Sequence, residues 1–368
     1  MLTIIFAGLI LVSIAVSVFT GTSGQLTEAV LTEPVNAVEL CIYLCGGMCF
    51  WGGLMRIAER SGLTDVLAKG FSFILGGLFR NIDKNGRAFH AICMNITANL
   101  LGLGNAATPF GIEAMKALAE EEKAGDTATP SMVTFTVLNT ASITLIPSTA
   151  LSIRMKYGSA EPLEIIPAVW ITSAAALAFS LTAAVLPFIR RKMKGEPSMT
   201  SLVIPICAAI VILWGIYKRT DIFGEFVKGA ADNLKTCAEL LPTLIALITA
   251  VGMFKASGAM ELITNVSAQI FDSIGFPSQC LPLALIRPVS GSGALAVYES
   301  IISDSGPDSF AGKVASVMLG STETTFYTLA VYYGAAGIKK TRHTLAASLT
   351  GDLTGFIFSV LTVNLLLR

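Results

Sequence analysis

Charged side chains are scarce in this chain of 368 residues: 25 Lys and Arg stand against 25 Asp and Glu, 14% in all, with zero net charge. A globular protein carries about 25%. No run of Lys and Arg is long enough to serve a nucleic acid, so the expected partner is not a polyanion. Histidine is almost missing, with His90 and His343 alone, both beside basic residues at segment ends where they read as interfacial. Zinc-binding spacings are absent, as are a Walker loop and any nucleophile, base and orienting group in sequence. An enzyme is therefore unsupported, and no cofactor is expected. The seven cysteines, Cys41, Cys45, Cys49, Cys93, Cys207, Cys237 and Cys280, are odd in number and follow no disulfide pattern, so they read as free thiols. Met1 to Phe19 lacks the cationic start of a signal peptide and reads as a first spanning helix.

What fills the chain instead is apolar: 53% of residues are hydrophobic and the mean hydropathy is +0.71. This composition predicts an all-α integral membrane protein. A span needs roughly 20 apolar residues, and the candidates are 1–19, 37–55, 131–155, 165–188, 200–217, 237–254, 310–334 and 344–367, about eight crossings. The stretches 62–80 and 260–275 carry charges and glycines and are expected along the membrane surface. Two more, 88–119 and 280–302, are broken by LGLGNAATP and RPVSGSG and are too short to span simply.

These features come twice in the same order. A span with an acid near its start (Glu39, Glu239) ends at a cation (Arg56, Lys255) before a surface stretch. An interrupted segment follows, with Gly102-Leu-Gly104-Asn-Ala-Ala107 echoed by Gly291-Ser-Gly293-Ala-Leu-Ala296. Then comes a span with a polar centre, Leu138 to Ser142 against Leu319 to Glu323, closed by Tyr157-Gly158 and Tyr333-Gly334, and a plain final span. The basic join Arg190 to Ser198 divides the chain into 1–196 and 197–368. Counting charges fails to fix a topology: the basic loops at Arg190 to Lys194 and Lys339 to Arg342 should share the cytoplasmic face, yet three crossings separate them.

Gly-x-Gly-x-x-Ala is no dinucleotide fingerprint here, since that motif needs a strand before it. Inside a membrane, backbone leaves the helix only where protein or a watery cavity receives it, and paired breaks in two repeats mark a transporter's midplane site. The alternative is close packing of helices on small residues. Four breaks are expected to meet at a central polar site, with solute-binding candidates Asn99, Gly102, Gly104, Asn105, Thr108, Asn139, Thr140, Ser142, Arg287, Ser290, Ser292, Ser321, Thr322, Glu323, Thr324 and Thr325. Glu323 is the sharpest of them, because a carboxylate at the centre of a span costs about 2.5–3.5 kcal/mol and is by default functional. Arg287, the lone charge of its apolar run, is its candidate partner; a purely structural ion pair is the rival reading. Cys41, Cys45 and Cys49 share a helix face, which suits packing or a soft metal.

NITANLLGLGNAATPFGIEAMK resembles the signature of the spore maturation protein A family, and RPVSGSGALAVYES with GSTETTFYTLAVYYGAAGIKKTRHTL resembles that of spore maturation protein B. The likeness covers nearly the whole chain, as a fusion of the two. It places the chain in the wider nucleoside-recognition, or Gate, group, which includes concentrative nucleoside transporters and the membrane part of ferrous iron transporter B. The resemblance implies paired helical hairpins and unwound helices in an inverted repeat, which would remove the conflict of charges, and a multi-pass protein of the bacterial inner membrane. It implies movement of a small solute, with the lipid bilayer as surroundings and the solute and any homo-oligomer left open. A transport-inactive scaffold for spore or envelope assembly and a soft-metal transporter are the alternatives.

Overall fold

The computed structural model describes residues 2–63, 66, 70, 75–79, 81–84, 86–100, 104–142, 144–185, 203–260, 262 and 275–367. Among these the ordered elements are helical. The first part holds α1 (Leu2–Thr20), α2 (Ser23–Arg60), α3 (Arg87–Leu100), α4 (Gly104–Glu121), α5 (Pro130–Thr140), α6 (Ser148–Lys156) and α7 (Ile166–Val185). The second holds α8 (Val203–Tyr217), α9 (Ile222–Ala256), α10 (Leu281–Ile286), α11 (Gly291–Ser305), α12 (Phe310–Ser321), α13 (Thr325–Ala335) and α14 (Thr344–Leu366).

Local sequence sets the ends of these helices. Thr129 caps α5, accepting from the Met132 amide with Pro130 in the first turn; Ser309 caps α12 from Gly312 and Ser290 caps α11 from Gly293. Such caps satisfy amides that no helix partner reaches. The long helices α2 and α9 both stop at a Ser-Gly pair, where Gly62 (φ 71°) and Gly258 (φ 82°) adopt the left-handed conformation that ends a helix at little cost. Against these two ends lie α8 and α1: Trp214 donates its indole N–H to the Ser61 carbonyl at 3.2 Å, and Thr20 its hydroxyl to the Ser257 carbonyl at 3.1 Å.

Three antiparallel pairs organise the protein. Helices α2 and α9 run side by side, joined by Arg56 to Glu225 (3.0 Å) at one end and by the Cys41 thiol to the Cys237 carbonyl (3.5 Å) further along. They close where Gly52 faces Gly229: a Cβ on Gly229 would lie 2.3 Å from the Gly52 carbonyl oxygen. The backbones can approach that far only because both positions lack side chains. Helices α7 and α14 pair through Thr172 and Thr362 (3.1 Å) and through His343 to the Ala184 carbonyl (3.2 Å). Between them lie two broken helices, α5–α6 and α12–α13, with α5 against α13 and α6 against α12.

Ion pairs fasten the outer ends of the broken helices. In the last turn of α6, the fully buried Arg154 reaches Glu164 (2.7 Å) and, in the loop before α12, Asp308 (2.9 Å) and the Pro307 carbonyl (2.6 Å). Nearby, Glu299 accepts from Lys156 (2.8 Å) and Tyr157 (2.9 Å). At the opposite end, the Lys339 and Lys340 amides donate to the Asp126 carbonyl, both at 2.9 Å, and the Lys340 ammonium pairs with the Asp126 carboxylate at 3.1 Å.

Several expectations need correction. The segments 131–155 and 310–334 are each two short helices; of the described helices only Ser23–Arg60, Pro162–Ala184 and Thr344–Leu366 are long and apolar enough to cross a membrane by length and composition. Polar groups at 139–144 and 321–325 interrupt the other two because their hydroxyls and amides compete for backbone partners. Glu39 does not start a helix, since α2 begins sixteen positions earlier at Ser23, and its side chain is exposed. The final helix is not plain, for Asp352 is buried in it. Most of the stretches 62–80 and 260–275, the basic join at 190–198, and Gly102 lie outside the described residues.

Two predictions follow from this packing. Gly229→Val forces the α2–α9 crossing apart and costs about 1–3 kcal/mol, read as a lower melting temperature of the purified protein; an unchanged melting curve contradicts the close crossing. For Asp308, burial pushes the carboxyl up, but Ser159, the Ala160 amide, Arg154 and Lys313 together outweigh it and hold the group below the ordinary 3.8. A lowered folded value stabilises above the unfolded value and is lost as pH falls through the folded one, so stability should decline below about pH 4. Asp308→Asn should flatten that decline in melting temperature measured against pH.

Candidate functional site

The breaks bond to each other. In the second part the chain leaves α12 at Ser321 and re-enters a helix at Thr325, where the Phe326 amide donates to the Pro288 carbonyl (2.8 Å) in the break between α10 and α11. In the first part the Leu145 amide, between α5 and α6, donates to the Leu100 carbonyl (2.9 Å) at the end of α3. Each break thus supplies what its neighbour's freed backbone lacks, as a membrane interior requires.

Arg287 is buried at 7% exposure and serves chiefly as a cap. Its guanidinium donates to the Leu319 carbonyl (3.1 Å), to the Thr322 carbonyl and to the Thr322 hydroxyl (3.1 Å), filling the open carbonyl end of α12 with positive charge. A cation at a helix C-terminus is favoured there by the helix dipole. Glu323 lies 3.7 Å from the same guanidinium but its side chain is 44% exposed, so it is held near Arg287 without being enclosed by it. Its other oxygen accepts from the Ser142 hydroxyl at 3.4 Å, and Ser142 shares a hydrogen bond with Thr144 at 3.2 Å. The carboxylate therefore stands between the breaks of the two parts.

Beside this ionic cluster is a neutral one. Asn99 donates to Asn139 (2.7 Å) and to Asn95 (3.4 Å); Asn95 donates to the Ala107 carbonyl (2.8 Å) and to the Tyr332 hydroxyl (3.2 Å), which donates to Asn139 (3.0 Å). Tyr332 reaches in from α13 across Gly111, where a Cβ would sit 2.2 Å from its hydroxyl oxygen. Four helices meet at these amides.

Of the remaining candidates, Thr140 donates to Ser348 (3.0 Å) on α14, and Ser321 and Thr322 turn back to the carbonyls of Val317 and Met318, both at 2.7 Å. Ser290 is the α11 cap, Ser292 lies in the first turn of α11, and buried Thr324 borders Gly291. Thr325 donates to Asp352 at 2.7 Å. Gly104 and Asn105 open α4 and Thr108 sits in its second turn. Sequence reasoning missed Asn95, Tyr332 and Asp352. Asn95 stands one turn before Asn99, and Asp352 is the lone acid of its apolar run, the same signal that exposed Glu323; Tyr332 carried none. On the cysteine face, Cys45 and Cys49 thiols lie 3.8 Å apart. Among the described residues no group of three or more His, Cys, Asp or Glu is arranged to hold a metal ion.

Comparison with known proteins matches two separate segments of the chain. The Gate family, described as nucleoside recognition, matches residues 41–156 and 237–339. Spore maturation protein B of Bacillus subtilis (strain 168) is 42% identical over 163 residues, 44% of this chain and 92% of that protein. Spore maturation protein A of the same strain is 37% identical over 166 residues, 45% of this chain and 85% of that protein.

The unequal surroundings of Arg287 and Glu323 predict unequal mutants. Arg287→Gln removes the donors of three bonds to α12 and should cost about 2–3 kcal/mol or more. Glu323→Gln, half exposed and at ion-pair distance only, should stay within about 0.5–1 kcal/mol of the parent. Melting temperatures of the two purified variants decide this; equal losses would show an interlocked structural pair.

Proposed function

From the premise that this chain belongs to the Gate, or nucleoside-recognition, family and is homologous to spore maturation proteins A and B, we propose that it is a two-repeat transporter of the bacterial cytoplasmic membrane that passes a small polar or charged solute through the meeting point of its breaks. The observation that carries this reading is Glu323: a half-exposed carboxylate deep in an apolar helical chain, touched by Arg287 of its own part and Ser142 of the other. A loosely paired charge at such a place is by default retained for what binds there. The Ser142 and Thr144 hydroxyls can donate or accept, and the Arg287 edge attracts an anionic or carbonyl group, so a solute with both polar faces fits best.

The repeat is supported by an exchange of contacts. Helix α1 packs on α9 as α8 packs on α2; α12 touches α7 and α6 as α5 touches α14 and α13; α13 touches α4 as α6 touches α11. Such reciprocity is what a two-fold relation between residues 1–185 and 203–367 produces. The start of α5 meets the end of α13, and the end of α6 meets the start of α12, so the broken helices run in opposite senses. Opposed senses of this kind support the reading as an inverted repeat. The two matched segments of the family and the two relatives, each aligned to under half the chain, fit a fusion of an A-like and a B-like unit, with a role in spore maturation.

A second reading has its own observation: the amide cluster of Asn95, Asn139 and Tyr332 is buried and side-chain filled, as in a scaffold with a dry centre. Water access separates the two. With the seven native cysteines replaced, Ser142→Cys and Glu323→Cys should each react with a small membrane-impermeant thiol reagent in sealed vesicles. Failure of both to react in either membrane orientation removes the transporter reading and leaves the scaffold.

A further inference from the structure

Asp352 is used by nothing described so far. It lies in the middle of α14 with 2% of its surface exposed. Oδ2 accepts one hydrogen bond, from Thr325 at 2.7 Å, while Oδ1 is buried without a partner. No cation among the described residues lies within ion-pair distance of either oxygen. Helix α14 is pressed directly onto the α12–α13 break at this level, for a Cβ on Gly355 would sit 2.6 Å from the Thr322 methyl. Asp352 therefore borders the site from behind, sharing Thr325 with it, and among the described residues its free oxygen is the one buried side-chain atom there without a hydrogen-bond partner.

Packing against α14 are α5, α7, α12 and α13. Helices α5, α7 and α13 carry no charged side chain; of their titratable groups the α13 tyrosines are Tyr332, bound to Asn139, Tyr333, bound to Thr344, and exposed Tyr327. The one charge of α12, Lys313, is bound to Glu164 (3.1 Å) and to the Leu367 carbonyl (3.0 Å) at the far end of α14. The charges facing the break are Arg287, committed to α12 carbonyls, and Glu323. An anionic Asp352 would be a desolvated charge with one hydroxyl for company, an arrangement costly enough to be rare without a ligand.

We propose that Asp352 is a binding site for one proton, the coupling ion of the solute site, carried on Oδ1. The donor set suits a proton: two oxygen-bearing side chains, Asp352 and Thr325, meet here, whereas calcium or magnesium gathers about six or more oxygens. No bond other than O–H forms or breaks; the proton is exchanged with water reaching the α12–α13 break. Loss of the proton places a second negative charge beside Glu323, which competes for Arg287 and so loosens the cap on α12. The use of the proton rests on the transporter reading, but its presence does not.

The test uses infrared difference spectroscopy of the whole protein in lipid nanodiscs, titrated with pH and without any solute. A protonated carboxylic-acid C=O band should be present at neutral pH in the parent, absent in Asp352→Asn and retained in Glu323→Gln. Thr325→Val, which keeps the carboxyl in place, should displace the pH at which the band disappears, and guards against a misfolded Asp352→Asn. Absence of the band at neutral pH, its survival in Asp352→Asn, or thermal stabilisation by sodium over potassium that Asp352→Asn abolishes would each overturn the proposal. A band without thiol labelling at positions 142 and 323 would leave the proton site standing and remove transport.

Discussion

Backbone that leaves a helix inside an apolar layer must find its hydrogen bonds within the protein, and the centre of this molecule is built around that demand. A bare N–H or C=O in lipid costs several kcal/mol, about as much as a whole small protein's margin of stability when two are left open. The first part meets the demand with Leu145 to Leu100, the second with Phe326 to Pro288 and the Arg287 cap. None of these pairs is local in sequence. Each break can therefore exist only when the neighbouring hairpin is in place, which makes the polar centre a cooperative unit and ties its shape to the folding of the rest.

The same demand is answered with different chemistry in the two parts. Asparagines and a tyrosine fill the neighbourhood of the first break, where neutral amides donate and accept at once and leave no charge to balance. The second uses a guanidinium and two carboxylates. Neutral networks rigidify when satisfied, whereas a charge imperfectly matched by its partner changes the local field whenever a proton or solute arrives. The two breaks thus differ in chemistry: one is neutral and satisfied, the other is charged.

Much of this was legible in the sequence because it broke a strong rule. Polar clusters inside apolar runs at 139–144 and 321–325, and glycines at 102 and 291, stood out against lipid-compatible surroundings, and duplicated order tied them together. The rule fails where residues look ordinary for their type. Tyr332 reads as an interfacial aromatic, yet its hydroxyl crosses to two asparagines, Asn95 and Asn139, because Gly111 leaves room, a complementarity of sites far apart in the sequence. Continuity was less legible, since short helices such as α5 and α6 sum to the length of a single span, and composition records length but not continuity.

Three buried ionisable groups differ in how many partners the protein gives them. Arg154 is completely enclosed and meets two carboxylates and a carbonyl at 2.6–2.9 Å, so removing any one partner leaves a desolvated charge and the group is held to one state. Arg287 has carbonyls for partners and a carboxylate at 3.7 Å that water or solute can reach, so its own position is fixed while its counter-charge is free to be exchanged. Asp352 has a single hydroxyl for a partner and one oxygen with none. Going from the first to the last, each group has fewer protein atoms opposing its charge and correspondingly more to gain from a ligand. A buried group that the protein leaves under-partnered gains most from anything that binds it, so the proposed response belongs at the α12–α13 break and the Arg154 end is the rigid one.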